Sequence, residues 1–333
     1  MSAPPLVSVI VVAYRQREPL LECLAAIEAA SRAFDAERPD EEAVELIVVD
    51  NGGLVDLVLE HSPRARVLRS GGNIGFAAGA QAGIEAANGE WVALVNDDAT
   101  LDPGALAALL AAGREGGERV GAVAAQIRFQ GRPDTINSAG IEVDSLGVAS
   151  ERLAGAPATR AAEGREVFGA SGCVALYHSE MLAQLGGLDE RFFAYQEDVD
   201  LAWRAQADGW RAVYEPRALA HHRGSASSGE GSSAKYRLVG RNRVWLLARN
   251  MTGSQLLRAL PGIALYDLAY VVYVALTDRT LAPLQGRLEG LRGWRRMRAE
   301  RGGQRRAVAL APARSGWLGA LRQHLAYRSS SPT

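Results

Sequence analysis

The residues able to do chemistry gather in a few short stretches. Asn96-Asp97-Asp98 closes the apolar run Trp91-Val92-Ala93-Leu94-Val95. Aspartate does not stabilise a strand, and adjacent carboxylates repel unless a cation sits between or beside them. At the carboxyl end of a strand in an α/β sheet, these side chains project into the crevice where ligands bind. That suits a divalent metal holding a phosphorylated ligand. Taken alone, it equally suits an Asn-Asp-Asp turn, with Asp98 or Thr100 capping a helix that starts near Pro103. Downstream, Glu197-Asp198-Val199-Asp200 falls where aromatic residues give way to a helical pattern, and three carboxylates in four positions exceed what a helix N-terminus needs. His221-His222 stands just ahead of a Ser/Gly-rich stretch that reads as mobile.

The elements that must position these groups follow from hydrophobic periodicity. Val7 to Ala13 is a continuous β-branched run, as expected for a parallel strand covered on both faces. Pro19 opens a helix, and the charged segment from Ser31 to Glu42 breaks its pattern as a surface excursion. Val44 to Val49 is a second strand ending in the turn Asp50-Asn51-Gly52-Gly53, then comes a short helix from Val55 and a short strand from Ala65. The stretch Ser70 to Gly79 is Gly-rich and feeds a helix, an arrangement suited to phosphate. No G-x-G-x-x-G follows the first strand, so it is not a dinucleotide fingerprint, and tight strand–helix packing would use the same glycines. A helix from Pro103 and a strand over Val120 to Phe129 complete an alternating β/α order, the pattern of a doubly wound nucleotide-binding sheet. Residues 130–166 read as loops and hairpins, and Val213 to Pro216 as a short strand followed by a helix carrying Arg237, Arg241 and Arg243.

The 333 residues are enough for one large domain or two modest ones, and 48% apolar content allows a full core. Formal net charge is -1, but its placement is uneven. From Arg279 onward there are 12 Arg against two Glu, so the rest of the chain is strongly acidic. A basic C-terminal part points to an anionic partner. Lys235 is the sole lysine. Two cysteines, Cys23 and Cys173, make neither a disulfide framework nor a metal quartet. The first apolar run is of strand length with no charged segment before it, so a cytoplasmic, reducing location is the expectation.

At this point several motifs together resemble a known family. The chain is similar to the inverting glycosyltransferases of family 2, with the GT-A fold, and to their bacterial rhamnosyl- and galactofuranosyltransferase-like branch. The resemblance rests on Val7 to Tyr14, Val48-Val49-Asp50-Asn51, Asn73-Ile74-Gly75-Phe76, Leu94 to Asp98, Gly187 to Phe193 and Glu197 to Arg204, in order and over roughly residues 6–250. Gln81 departs from it, where the family more often has Asn. The resemblance implies an α/β GT-A catalytic domain over residues 1–250, divided into a nucleotide-sugar half (6–130) and an acceptor half (131–250), followed by a helical, Arg-rich region (251–333).

It also implies roles. Asp98 would ligate Mg²⁺ or Mn²⁺, with Asp97 or Asn96 on the ribose or a metal-bound water. Asp50 would accept a hydrogen bond from the base of a UDP- or dTDP-linked sugar, Ala13 and Tyr14 would line the base pocket, and Arg15 would reach the phosphates. Asn73 and Gly75 belong to the nucleotide-sugar turn. Asp198 would be the general base of an inverting transfer, with Glu197 orienting the acceptor or Asp198. Asp200 reads as structural, paired with Arg204 one turn on. A histidine completing the metal or pyrophosphate site is expected, and the spacing to Gly224 favours His221 over His222. Of Arg241 and Arg243, at most one closes over the diphosphate, because residues two apart do not share a helix face.

Leu256 to Leu276 is apolar but interrupted by Arg258, Pro261 and Asp267, which argues against a bilayer span. The stripe Leu284, Leu288, Leu291 and Trp294, set among arginines, has the composition of a helix lying at a membrane surface. It equally suits packing on the catalytic part or on a second copy in a homodimer. A peripheral site on the inner face of the membrane would fit a polyprenyl-diphosphate-linked or other glycan acceptor. Nucleic acid is not expected, for no aromatic stacking platform accompanies the arginines. The competing readings are a sugar nucleotidyltransferase, which would want a Gly-rich basic signature where Tyr14-Arg15-Gln16-Arg17 stands, and a non-catalytic sugar-binding relative.

Overall fold

The computed structural model describes residues 5–36, 44–223, 232–301 and 306–312. The expected excursion beyond 36 and the Ser/Gly-rich stretch 224–231 lie outside these, as does the Arg-containing segment 313–333.

The first half alternates as its periodicity implies. It runs β1 (Val7–Ala13), α1 (Arg17–Ala36), β2 (Val44–Asp50), α2 (Val55–His61), β3 (Arg66–Arg69), α3 (Phe76–Ala86) and β4 (Trp91–Asn96). Strands β3, β2, β1 and β4 pair in parallel. Every residue of β1 is buried, because its alternate side chains enter two different cores. Val7, Val9 and Val11 pack with Leu20, Leu24 and Ile27 of α1, while Ile10 and Val12 pack with Ala80 of α3. α1 runs through Ser31 to Ala36 rather than ending as a loop, because Phe34 and Ala30 extend its apolar face into the core.

The second half mixes strand directions. After β5 (Ala99–Leu101) and α4 (Ala105–Glu115) come β6 (Val120–Phe129), β7 (Arg132–Ser138), β8 (Ile141–Val143), β9 (Ala149–Glu151), β10 (Arg165–Val167) and β11 (Val174–His178). β11 inserts antiparallel between β4 and β6. Then come α5 (Ser179–Leu185), α6 (Glu197–Ala207), β12 (Arg211–His222), α7 (Ser233–Asn250), α8 (Gly253–Thr277) and α9 (Ala282–Glu300). The main sheet runs β10-β12-β6-β11-β4-β1-β2-β3, with β5 pairing β12 and β7 pairing β6. β12 is longer than Val213 to Pro216. The proline, which cannot donate to the ladder, sits in a register shift between Glu215 and Leu219, and the strand resumes beyond it.

The C-terminal helices pack on α6 and β8 rather than standing apart. Val199 and Trp203 of α6 share a core with Leu246 of α7, Ile263 of α8 and Val308. α7 and α9 meet along glycines. A Cβ at Gly240 would stand 2.6 Å from the Pro283 carbonyl oxygen, one at Gly290 2.8 Å from that of Arg241, and one at Gly286 would overlap the Arg237 carbonyl.

A buried ionic knot ties α6 to α7. Asp200, with no exposed surface, accepts from Arg204 at 2.7 Å, Arg249 at 3.1 Å and Asn250 at 2.9 Å. Among the described residues, Asp200→Ala would leave the buried Arg204 without a carboxylate and Arg249 with Asp189 as its remaining close one. It is expected to lower unfolding free energy by about 3–5 kcal/mol in urea denaturation. A loss below about 1 kcal/mol would mean that water screens the knot as it does surface pairs.

Candidate active site

The carboxyl ends of β1 and β4 open onto a cavity of about 590 Å³. Its floor is Asn96-Asp97-Asp98, which turns the chain from β4 into β5. β5 pairs antiparallel with the end of β12, so His222 stands opposite Ala99 and His221 opposite Thr100. On an extended strand the two rings must point to opposite faces. His222 is 9% exposed and its Nε2 lies 3.2 Å from Asp98 Oδ1, while its Nδ1 lies 3.3 Å from Asn137 Oδ1. His221 lies outside the cavity, 3.4 Å from Asp102. The preference for His221 is therefore reversed. Strand alternation carried the better signal, since Ala218, Ala220 and His222 share the buried face.

Burial alone would lower the His222 pKa, but Cys173 and the Asp98 carboxylate beside the ring hold it well above its ordinary value. Burial also raises the Cys173 thiol, which keeps it neutral, so the charge that retains the proton is that of Asp98. Asp97 is pushed up to about 7 by burial, although the Tyr14 amide donates to its Oδ2 at 2.8 Å.

On the opposite wall, α6 begins with Glu197 and Asp198. Asp198 Oδ2 accepts from the Gly172 amide at 2.9 Å and its Oδ1 from the Val199 amide at 2.8 Å. Glu197 is 5% exposed and its Oε2 has no partner among the described residues. Burial raises the pKa of both, and the charge of Asp198 adds to that of Glu197. The two amides favour the ionised form of Asp198. A proton held by the pair at neutral pH therefore resides on Glu197.

Two further ionisable side chains, an acid and a base that sequence reasoning missed, line the cavity. Glu151, at the end of β9, accepts from Ser171 at 3.0 Å and from Ser138, and burial pushes it up to about 7. Nothing in the weak pattern of residues 130–166 marks it. Lys235, in the first turn of α7, also lines the cavity, with its Nζ 5.4 Å from the Tyr195 ring centre. Its being the sole lysine was the one available signal.

Of the other expected residues, Tyr14, Asn73, Gly75, Asn96, Asp97, Asp98, Glu197 and Asp198 line the cavity. Ala13, Arg15, Asp50 and Arg241 do not. Ala13 is fully buried in β1, and Arg15 is exposed against the Tyr14 ring. Asp50 Oδ1 is taken by the amides of Gly52, Gly53 and Leu54, so it closes its own turn, and its neighbour Asn51 lines the cavity instead. Arg241 donates to the carbonyls of Arg191 and Phe192. Arg243 is buried, bound to Asp267 and the Gly147 carbonyl. Neither arginine is disposed to close over a diphosphate. Gln81 accepts from the Leu188 amide at 2.9 Å, a local contact between α3 and the turn after α5.

Gly75 binds the two walls together. Its φ of +89° suits glycine, and a Cβ there would stand 2.5 Å from the Phe193 carbonyl oxygen. Asn51 donates to the Gly75 carbonyl at 2.8 Å, and Ala77 donates to that of Phe193 at 3.0 Å.

With this geometry established, the comparisons decide the family. Residues 8–186, more than half of the chain, match the profile of Glycosyl transferase family 2. The chain belongs to that family. It is 31% identical over 228 residues to the N-acetylglucosaminyl-diphospho-decaprenol L-rhamnosyltransferase of Mycobacterium tuberculosis (strain H37Rv), an overlap of 60% of this chain and 72% of the relative. Among solved structures, GalNAc-T7 with UDP, GalNAc and Mn²⁺ superposes with a TM-score of 0.56 at 14% identity, over 75% of this chain and 48% of that one. The mannosyltransferase PcManGT from Pyrobaculum calidifontis, in complex with GDP-Man and Mn²⁺, superposes with a TM-score of 0.51 at 17% identity, over 99% of this chain and 85% of that one. The protein is a glycosyltransferase with the GT-A fold.

A buried carboxyl that keeps its proton in the folded chain has a sign that can be checked. Glu151 titrates near 4.5 when unfolded and near 7 when folded. Between those values the folded chain binds more protons, so stability falls as pH rises through the window. Glu151→Gln is expected to remove a part of that fall, on the order of 1–3 kcal/mol, from urea midpoints taken at pH 5 and pH 7.5. An unchanged slope would place the titration elsewhere.

Proposed function

We propose that the enzyme transfers a sugar, with inversion, from a UDP- or dTDP-linked donor to a hydroxyl of a glycan carried on a polyprenyl diphosphate, at the cytoplasmic face of the membrane. The observation that carries this is one cavity with the Asp98–His222 pair at its floor and Asp198 on the facing wall. The similarity to a rhamnosyltransferase whose name specifies a diphospho-decaprenol acceptor supports the donor and acceptor classes, with rhamnose as the first sugar to try.

The cavity supports a divalent cation by the chemistry of its donors. Asp97, Asp98, Glu151, Glu197 and Asp198 line it, against Lys235 and His222 as the basic groups among the described residues. A nucleoside diphosphate entering this site meets carboxylates, and repulsion falls when a cation bridges them. Among the described residues no group of three or more His, Cys, Asp and Glu side chains is arranged as a metal site. The donor set fits a cation that arrives with its substrate, since Mg²⁺ takes one or two carboxylates plus phosphate oxygens. Asp98 and His222 would hold it, His222 giving up its proton on binding, which makes the affinity rise with pH. When bound, Mg²⁺ or Mn²⁺ stabilises the negative charge that grows on the departing diphosphate.

The chain's own residues supply the rest. Tyr14, Asn51, Asn73 and Asn96 offer polar contacts to the nucleoside side of the donor. Lys235 adds positive charge on the α7 wall. Asp198, kept ionised by the Gly172 and Val199 amides, takes the acceptor hydroxyl's proton as that oxygen attacks the anomeric carbon. Protonated Glu197 beside it can donate a hydrogen bond to the acceptor, and Glu151 sets the depth of the sugar pocket.

The test is release of nucleoside diphosphate from a panel of nucleotide sugars with Mn²⁺, followed by product analysis on a prenyl-diphosphate acceptor. Asp198→Asn is expected to cut kcat by about 10²–10⁴-fold with donor KM little changed. Full activity in that variant would sink the assignment of the base. His222→Ala should weaken Mn²⁺ activation by about 10–100-fold while His221→Ala leaves it near wild type. The reverse ranking would restore His221.

A further inference from the structure

α8 and α9 present an apolar surface that nothing in the chain's described residues covers. On α8, Leu257, Leu265, Leu268, Val272 and Leu276 are exposed, with Pro261 completing a stripe at intervals of three and four and Leu260 beside it. Such spacing keeps them on one face. Leu257 and Leu276 are 76% and 77% exposed. The stripe continues past the turn into α9 as Leu281, Leu284, Leu288 and Leu291. Isolated exposed leucines need no explanation, but a row along two consecutive helices does.

Arginine accompanies the row. Arg258 and Arg279 are exposed on and just after α8, and on α9 the leucine spacing runs into Arg295, with Arg292 and Arg296 next to it. The acids of this region face other work. Asp267 is held by Arg243 and Arg287, Asp278 by Tyr236, Glu289 by Arg237 and Glu300 by Arg191.

Gly253–Thr277 is long and apolar enough to cross a membrane by length and composition, and little of it is buried. Pro261 does not break it. Its other face is committed, however. Ile263, Val271 and Val274 are buried, and Asp267 joins α8 to both α7 and α9 through its two arginines. A helix bound along one side to α7 and α9, which themselves pack on the rest of the fold, lies along a bilayer rather than through it.

We infer that the α8–α9 face seats on an anionic lipid bilayer, its leucines in the acyl boundary and its arginines on the headgroups. A second copy of this chain is the poorer occupant, because a twofold contact would set this arginine-bearing face against itself. The surface rests on its own residues. Its use to the enzyme rests on the lipid-linked acceptor proposed above: Tyr236 of α7 packs with Val274 of α8 and Ala282 of α9, and the turn before it, Ala234 and Lys235, lines the catalytic cavity. A bilayer on this face would therefore lie beside the wall through which a prenyl-linked acceptor enters.

The experiment is co-sedimentation of the full chain with vesicles of phosphatidylcholine alone or mixed with phosphatidylglycerol. Wild type is expected to bind the anionic vesicles at least tenfold more, less so at high salt. Leu265→Asp with Leu268→Asp should lower binding at least tenfold, and Arg292→Gln with Arg295→Gln should remove the preference for anionic lipid. Leu59→Asp, exposed on α2, should bind as wild type. Donor hydrolysis without vesicles, run in parallel, should be equal in all variants and reports on the catalytic reading separately. No binding by wild type, undiminished binding by the double leucine variant, or a soluble dimer that this variant dissociates would each overturn the inference.

Discussion

The geometry of the site depends on one amide. The side chain of Asn242, fully buried in α7, donates to the carbonyls of Phe192, Ala194 and Tyr195 at 3.0, 2.9 and 2.7 Å. The loop it holds contains three non-glycine residues at positive φ, namely Phe193, Tyr195 and Gln196. Each such residue costs about 1–3 kcal/mol and persists only when its surroundings fix it. Asn242 and its neighbour Arg241 are those surroundings. The loop's own residues line the cavity, and its last peptide delivers Glu197 and Asp198 to the start of α6. The helix that lies outside the main sheet thus sets the position of the carboxylates opposite Asp98.

The two walls differ in how their charge is controlled. At the floor, Asp98 is next to a ring that keeps its proton, while Asp97 is buried against a backbone amide. At the wall, burial raises two adjacent carboxyls, and backbone donors choose between them. A site that pushes neighbouring acids apart in this way can hold one as a base and the other as a hydrogen-bond donor.

Most of the first half was readable in the sequence because parallel strands buried on both faces leave continuous apolar runs, and β1 and β4 coincide with theirs. That Asp97, Asp98, Glu197 and Asp198 face one cavity was readable because carboxylates at element ends have few structural uses. The failures have physical causes. Asp50 and Arg241 satisfy backbone groups nearby, and side-chain type alone does not say whether a ligand or the chain itself will claim a polar group. Glu151 comes from a short hairpin whose position is set by tertiary contacts. His221 was preferred on its spacing to Gly224, whereas the pairing of β12 with β5 is what turns His222 inward.

The glycine seam between α7 and α9 has a mechanical meaning. Side chains between helices can change rotamer and absorb a small shift, whereas backbone resting on backbone cannot. At Gly240, Gly286 and Gly290 the two helices are in that closer contact. They therefore form a single stiff strut, with its outer end at the exposed leucines and its inner end at Asn242. A push on the outer surface reaches the loop ahead of Glu197 and Asp198 undamped.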